Sequence, residues 1–319
     1  MCRAPHDPVL AGIGRNFAAP GGQSTVAVTM KDTLIECVRQ AGAVLLKHFG
    51  QGGPATRKEN GNSIVTAADF ESEKLIFDMI RRRHPEHNLL GEETGLQHFG
   101  SDFTWVIDPL DGTSNFAAAL PWFGVMAAVL ERGLPVLGAM YLPLTDALYV
   151  AERGRGAVCY GTSVAASRQS AVLGIPATSV AASRQSAVLR MTAERDLSDT
   201  LCAYGLDGGA AEAEAEKQTR LFRLLVSRAR NVRLTNSLVD FCYTLEGRFG
   251  ACINQNCKIW DIASACLMFP EAGGRFTDLQ GREIRLELDP AKYMRSYAVV
   301  GGNGVLHEQV IGLAREAGF

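Results

Sequence analysis

Four acidic segments stand out because each sets a carboxylate against apolar or turn-forming residues. They are Asp69 in Val65-Thr66-Ala67-Ala68-Asp69, Glu92 and Glu93 in Gly91-Glu92-Glu93-Thr94, Asp108 and Asp111 in Asp108-Pro109-Leu110-Asp111-Gly112-Thr113, and Asp261 after Trp260. A carboxylate beside a buried strand is costly unless it is paired or bound to a cation. Several of them converging without enough nearby Lys or Arg need a hard, oxygen-preferring metal, and Mg²⁺ is the usual ion where phosphate completes its shell. Two ions sharing a carboxylate can clamp the attacking and leaving oxygens of an in-line phosphoryl displacement. Taken singly, most of these segments read as structure: Asp-Gly is a common turn, Gly-Glu-Glu a solvated loop, and Thr66 to Asp69 a helix cap. The segment from Asp108 to Thr113 differs. It follows Trp105-Val106-Ile107 directly and places two carboxylates, the Gly112 amide and the Thr113 hydroxyl within six residues at a strand end.

The elements that must position these groups follow from periodicity. Leu34, Val38, Ala41 and Leu45, widened by Ile35, Leu46 and Phe49, fall on one helical face over Asp32 to Phe49, and Gly50 ends it. Thr66 caps a second helix through Leu75, Ile76, Met79 and Ile80 to Arg83, with Asp69 in its first turn. Phe103 to Ile107 reads as a strand broken by the turn chemistry of residues 108–112. Apolar runs at 123–130, 135–142 and 146–151 predict an antiparallel meander. Beyond residue 190 the order is strand near 201–205, helix 212–229, strand 231–234, helix 236–246, strand 249–253, helix 261–271, then strands near 275 and 297.

One feature is unrelated to this chemistry. Thr162–Leu173 reads TSVAASRQSAVL, and Thr178–Leu189 repeats it unchanged at a period of 16. Two short copies cannot stack into a solenoid, so the repeat reads as a tandem duplication or a sequence error in a surface loop, with one copy poorly ordered. The expected organisation is a disordered extension over 1–29, an α+β lobe carrying the metal-binding motifs over 30–160, the duplicated surface loop over 161–190, and a C-terminal α/β lobe over 191–319. Residues 1–29 lack a continuous apolar run and carry Pro20-Gly21-Gly22, so they are expected to lie outside the working enzyme.

Composition narrows the classes of partner. The 319 residues are 47% hydrophobic, enough for a large core, and 32 basic against 34 acidic residues leave a formal charge of −2, with no basic excess for a nucleic-acid polymer. No uncharged apolar run is long enough for a membrane helix. Eight cysteines are scattered without a CxxC pair, which suits reduced thiols in the cytoplasm. His84, His87 and His98 lack the partner pattern of a zinc site.

Taken in order, VTAAD, GEETG, WVIDPLDGTSNF and WDIASACLMFPEAGG resemble the inositol monophosphatase superfamily, the lithium-sensitive phosphatases, over about residues 30–319. The resemblance implies a layered αβαβα sandwich of the sugar-phosphatase type, a homodimer, and two to three Mg²⁺ ions acting on a small phosphorylated metabolite. Carried over position by position, Glu92, Asp108 and the Leu110 carbonyl would hold one ion. Asp108, Asp111 and Asp261 would hold a second, and Glu92 with Asp69 a third. Thr113 with Asp69 would orient the activated water, the Gly112 and Thr113 amides would bind phosphate oxygens, and Lys58 matches a family lysine near the ions. A helix opening at Asp261 would favour its anionic form.

Two departures lie on the substrate side. Asn254, seven residues before Asp261, stands where inositol-type members often carry a substrate-binding Glu, and the usual Gly-Ser/Thr-Ala stretch is replaced by Thr235-Asn236-Ser237. Ser237 and Asn254 are therefore candidate substrate contacts. Inositol 1-phosphate, histidinol phosphate, fructose 1,6-bisphosphate and 3'-phosphoadenosine 5'-phosphate all stay open as substrates. The haloacid dehalogenase class fits less well, because its two Asp are two residues apart whereas Asp108 and Asp111 are three apart. A non-catalytic regulatory relative is the remaining alternative, against which stands the full set of carboxylates.

Overall fold

The computed structural model describes residues 28–51, 56–57, 64–161, 186–206 and 210–319. The expected extension over 1–29, all but its last two residues, lies outside these, as do residues 162–185 of the duplicated segment and Lys58. Helix α1, Met30–His48, begins two residues before the expected Asp32 because Thr29 and Asp32 form a reciprocal capping box. Helix α2, Ala67–Arg83, has the same device: Thr66 caps it and Asp69 returns a hydrogen bond to the Thr66 N–H.

Strands β1 (Thr56–Arg57) and β2 (Ile64–Val65) form a small antiparallel pair. An eight-stranded sheet follows from β3 (Asn88–Gly91), β4 (Gly95–Gln97), β5 (Phe103–Asp111), β6 (Gly124–Glu131), β7 (Leu134–Leu142), β8 (Ala147–Glu152), β9 (Gly156–Tyr160) and β10 (Ser186–Val188). Its order is β10-β9-β8-β7-β6-β5-β3-β4, with β6 to β8 forming the expected meander, β5 and β9 extending it, and β3 parallel to β5. A short helix α3, Thr113–Ala117, leaves the end of β5. The second sheet contains β11 (Leu201–Gly205), β12 (Asn231–Arg233), β13 (Ala251–Cys257), β14 (Arg275–Asp278) and β15 (Tyr297–Gly302), ordered β12-β11-β13-β15-β14. The remaining helices are α4 (Glu212–Arg228), α5 (Val239–Leu245), α6 (Ile259–Ile262), α7 (Ala265–Glu271) and α8 (Gly304–Ala317).

Alternation along the strands divides the core into layers. Leu89, Trp105, Ile107 and Val129 point to one face of the large sheet and pack with Leu34, Leu45, Ile76 and Ile80 of α1 and α2. Leu90, Val106, Met126 and Leu130 point to the other face and pack with Phe241, Trp260 and Met268 of α5–α7, which also cover Ala203, Cys252 and Val299 of the second sheet. Tyr204, Ile253 and Val300 on that sheet's far face meet Leu221 and Leu225 of α4 and Val310 and Ala314 of α8. The result is the αβαβα sandwich. Because helices cover both faces of each sheet, the central strands are apolar on both sides and read as continuous runs.

Three expectations are corrected. The strand expected to stop at Ile107 continues to Asp111, with a register shift between Asp108 and Asp111 that absorbs Pro109. The single helix expected over 261–271 is two, α6 and α7, so Asp261 is the third residue of α6 rather than its opening residue. The end of the second repeat copy, Ser186–Val188, is an edge strand paired with β9 rather than a loop. Among the described residues no helix is long and apolar enough to cross a membrane, and the described cysteines are all free.

His307 on α8 has no solvent exposure; its Nε2 lies 2.8 Å from the Thr277 hydroxyl, and its Nδ1 has no hydrogen-bond partner. Burial holds its pKa down at about 4. The unfolded chain therefore takes up a proton near the ordinary value of about 6.5 while the folded chain does not, so stability falls as pH drops from there towards 4. We expect the stability advantage of wild type over His307→Gln to shrink by about 3 kcal/mol between pH 8 and pH 4, measured by urea unfolding; a pH-independent gap would refute the assignment.

Candidate active site

The acidic residues meet because two parallel strands end side by side. Gly91 at the end of β3 pairs with Ile107 of β5, and the Glu92 N–H donates to the Ile107 carbonyl at 3.3 Å, so Glu92 arrives alongside Asp108. The register shift in β5 then turns Leu110 into the core, fully buried, and brings Asp111 opposite Gly124. Gly112 follows with φ of 82°; a side chain there would need left-handed backbone and would put its Cβ 2.5 Å from the Trp122 carbonyl. Asp261 comes from the second sheet's side, after β13. Its Oδ2 accepts from the Lys258 N–H at 2.6 Å, and the Lys258 ammonium is directed away, to Met294 and Ser296.

The carboxylate oxygens of Asp108, Asp111 and Asp261 lie within 4.8 Å of one another. With Glu92, Leu110, Gly112 and Thr113 they line a cleft of about 140 Å³ whose opposite wall is Asn236, Ser237, Phe241, Asn254 and Asn256. Among the described residues no lysine or arginine lines it. Burial first, and then the neighbouring charges of Glu92, Asp111 and Asp261, push Asp108 well above the usual carboxylate range. Asp261 is raised for the same reasons, burial foremost and then Glu92 and Asp111. Carboxylates so placed either hold protons or hold cations, and this all-oxygen donor set fits a hard divalent ion.

Asp69, fully buried, ties this cluster to α2. Its Oδ2 accepts from the Thr66 N–H and hydroxyl at 2.8 and 2.7 Å, while the Thr113 hydroxyl lies 3.2 Å from its Oδ1 and 2.9 Å from the Leu110 carbonyl. The structure thus brings together Asp69, Glu92, Asp108, Leu110, Asp111, Gly112, Thr113, Ser237, Asn254 and Asp261; Lys58 falls outside the described residues. Sequence reading did not pick out Phe241 and Asn256 as cleft residues, and it noted Asn236 only within the substrate-side stretch Thr235-Asn236-Ser237. The turn at Asn236 has a positive φ of 54°, a conformation that Asn tolerates better than most side chains, and that is the one local signal available. Two buried acids behind the cleft were also missed: Glu73, whose Oε2 accepts from the Glu93 N–H at 3.0 Å, and Asp240, which accepts from the Thr235 hydroxyl. Burial pushes Asp240 up to about 7 against the hydrogen bonds it receives.

A two-sheet sandwich with an acidic, phosphate-sized cleft between its halves is the architecture of metal-dependent phosphatases. Comparison with known proteins gives the same answer: the profile described as "Inositol monophosphatase family" matches residues 27–318. The chain belongs to the inositol monophosphatase family. It is 31% identical to Nus factor SuhB of Pasteurella multocida over 79% of this chain and 86% of that protein. It is 29% identical to the fructose-1,6-bisphosphatase/inositol-1-monophosphatase of Thermotoga maritima, over 89% and 95% respectively. Among solved structures, the extragenic suppressor protein suhB of Bartonella henselae superposes with a TM-score of 0.73 at 25% identity, covering 90% of this chain and 98% of that one.

Removing one charge from a metal-free acidic cluster relieves repulsion, whereas removing it from a metal-loaded one removes a ligand. Asp108→Asn should therefore raise the melting temperature in EDTA by about 2 °C or more, and should lose the rise that Mg²⁺ produces in wild type. A variant less stable than wild type in EDTA, yet still stabilised by Mg²⁺, would contradict this account.

Proposed function

We propose that the chain is a Mg²⁺-dependent phosphomonoesterase acting on a small phosphorylated metabolite. The observation that carries the reading is the convergence of Glu92, Asp108, Asp111 and Asp261 in a cleft that no described lysine or arginine lines, beside the Thr113–Asp69 pair. Glu92, Asp108 and the Leu110 carbonyl would hold one ion, Asp108, Asp111 and Asp261 a second, and Glu92 with Asp69 a third. Bound there, Mg²⁺ would lower the pKa of water and offset charge on the transferring phosphoryl group. Thr113, whose hydroxyl is shared between Asp69 and Leu110, would orient the attacking water, and Asp69 would accept through that hydroxyl the proton the water loses, becoming neutral. The Gly112 and Thr113 amides would hold phosphate oxygens. The P–O bond to the leaving alkoxide would break as the new one forms, the alkoxide taking a proton from solvent water and Asp69 returning its own to solvent.

The opposite wall supports a neutral, hydroxyl-bearing leaving group. Asn236, Asn254 and Asn256 offer amide donors and acceptors, and a second phosphate meets no lysine or arginine among the described lining residues. A cationic leaving group would find no carboxylate on that wall. Lithium inhibition, a homodimeric state and a cytoplasmic location are part of this reading. A second reading, a regulatory protein, draws support from the relatives named Nus factor SuhB at 30–31% identity.

The test is phosphate release from a panel of sugar, polyol, histidinol and nucleotide phosphates, with and without Mg²⁺. Mg²⁺-dependent turnover of a polyol or sugar monophosphate is expected, with Asp111→Asn slower by about a hundredfold or more, as for loss of a group that stabilises transition-state charge. Silence across the panel from folded, Mg²⁺-binding protein would favour the regulatory reading.

A further inference from the structure

Asp240 lies in the first turn of α5, 3% exposed, and does not line the cleft. Its Oδ1 accepts the Thr235 hydroxyl, while its buried Oδ2 has no hydrogen-bond partner. Thr235 begins the turn that forms the substrate wall, held with Asn236 in left-handed backbone at φ 54°. The turn is pinned again from outside, where the Asn115 amide donates to the Thr235 carbonyl at 2.9 Å. The next residue, Leu238, donates its N–H to Asp111 Oδ1 at 2.5 Å. That bond occupies one oxygen of Asp111 and sets where the other points.

We propose that Asp240 is a positioning residue: by holding the Thr235 hydroxyl, and with it the Thr235–Ser237 turn, it places the Leu238 N–H, which orients Asp111 for metal binding. The inference rests on Asp111 being a metal ligand. An ionised carboxylate suits the task because it only accepts, and a hydroxyl bonds it more strongly than a neutral acceptor. An amide in its place weakens that bond and buries an N–H₂ where Oδ2 has no partner, and the turn relaxes. The effect then reaches Asp111 through a single backbone hydrogen bond, without any contact between residue 240 and the ion.

The experiment measures Mg²⁺ binding by isothermal titration calorimetry at pH 8, with the metal-free melting temperature recorded alongside, for wild type, Asp240→Asn, Thr235→Val and Thr244→Val. Thr244 is a buried hydroxyl on the same helix that bonds the Asp240 carbonyl, so its variant reports loss of α5 stability alone. We expect Asp240→Asn to weaken Mg²⁺ binding about tenfold and Thr235→Val about threefold, while Thr244→Val melts earlier but binds Mg²⁺ as wild type does. Wild-type Mg²⁺ affinity in Asp240→Asn overturns the proposal; should that variant not fold, unchanged affinity in Thr235→Val does so. Absence of Mg²⁺ binding by wild type would instead overturn the metal assignment itself.

Discussion

Mutual repulsion among carboxylates is the constraint on which this molecule turns. Two unit charges about 4 Å apart repel by about 4 kcal/mol at the effective dielectric of a protein near its surface, and three such groups have oxygens within 4.8 Å of one another here. Among the described residues no lining lysine or arginine offsets them. A chain that holds these groups together must do so with covalent geometry and packing, because their electrostatics push them apart. The site's oxygen donors, its preference for a cation and its need for a rigid surround all follow from that single imbalance.

The fold meets the constraint by drawing the acids from stiff, unrelated parts of the chain. Parallel pairing of β3 with β5 fixes the lateral position of Glu92 against Asp108, and the register shift at Pro109 re-aims Asp111 without a flexible loop. Asp69 is locked by its own capping box, and Asp261 by the N–H of Lys258. Behind these stand Glu73 and Asp240, two buried acids whose hydrogen-bond partners belong to the Glu93 and Thr235–Ser237 turns. Neither faces the cleft. Each faces backbone or hydroxyl donors, so the turns beside the clustered carboxylates are organised from beneath.

Legibility in the sequence followed the range of the interactions. The helix carrying Asp69 was readable from Thr66 and a 3.6-residue stripe, and the meander from its alternation, since both are set within a few residues. The acids were readable because charge beside apolar sequence is locally anomalous. What escaped depended on distant partners. The continuation of β5 past Ile107 needs β6 to pair with Asp111, and the division of α6 from α7 at Ala263 and Ser264 is imposed by packing against the large sheet, where Ser264 sits over Gly138. Asn236 and Asn256 became cleft residues only once β13 and the turn before α5 had been brought opposite β5.

The connection that carries the duplicated segment joins two neighbouring strands at an edge of the large sheet. Tyr160 at the end of β9 pairs with Ser186 at the start of β10, so the connection leaves and rejoins the large sheet at one edge. Four strands separate β10 from β5, which at strand spacing puts that edge about 24 Å from the strand that carries Asp108. Twenty-five residues join Tyr160 to Ser186, where nine would remain without one repeat unit. Because closure entropy grows only with the logarithm of length, the longer connection costs about 1 kcal/mol more. The same Ser-Ala-Val-Leu ends both copies, and the copy next to Arg190 supplies β10, burying Ala187 and Leu189 against the sheet. The end of the second copy therefore anchors β10 on β9, at an edge that carries none of the clustered carboxylates.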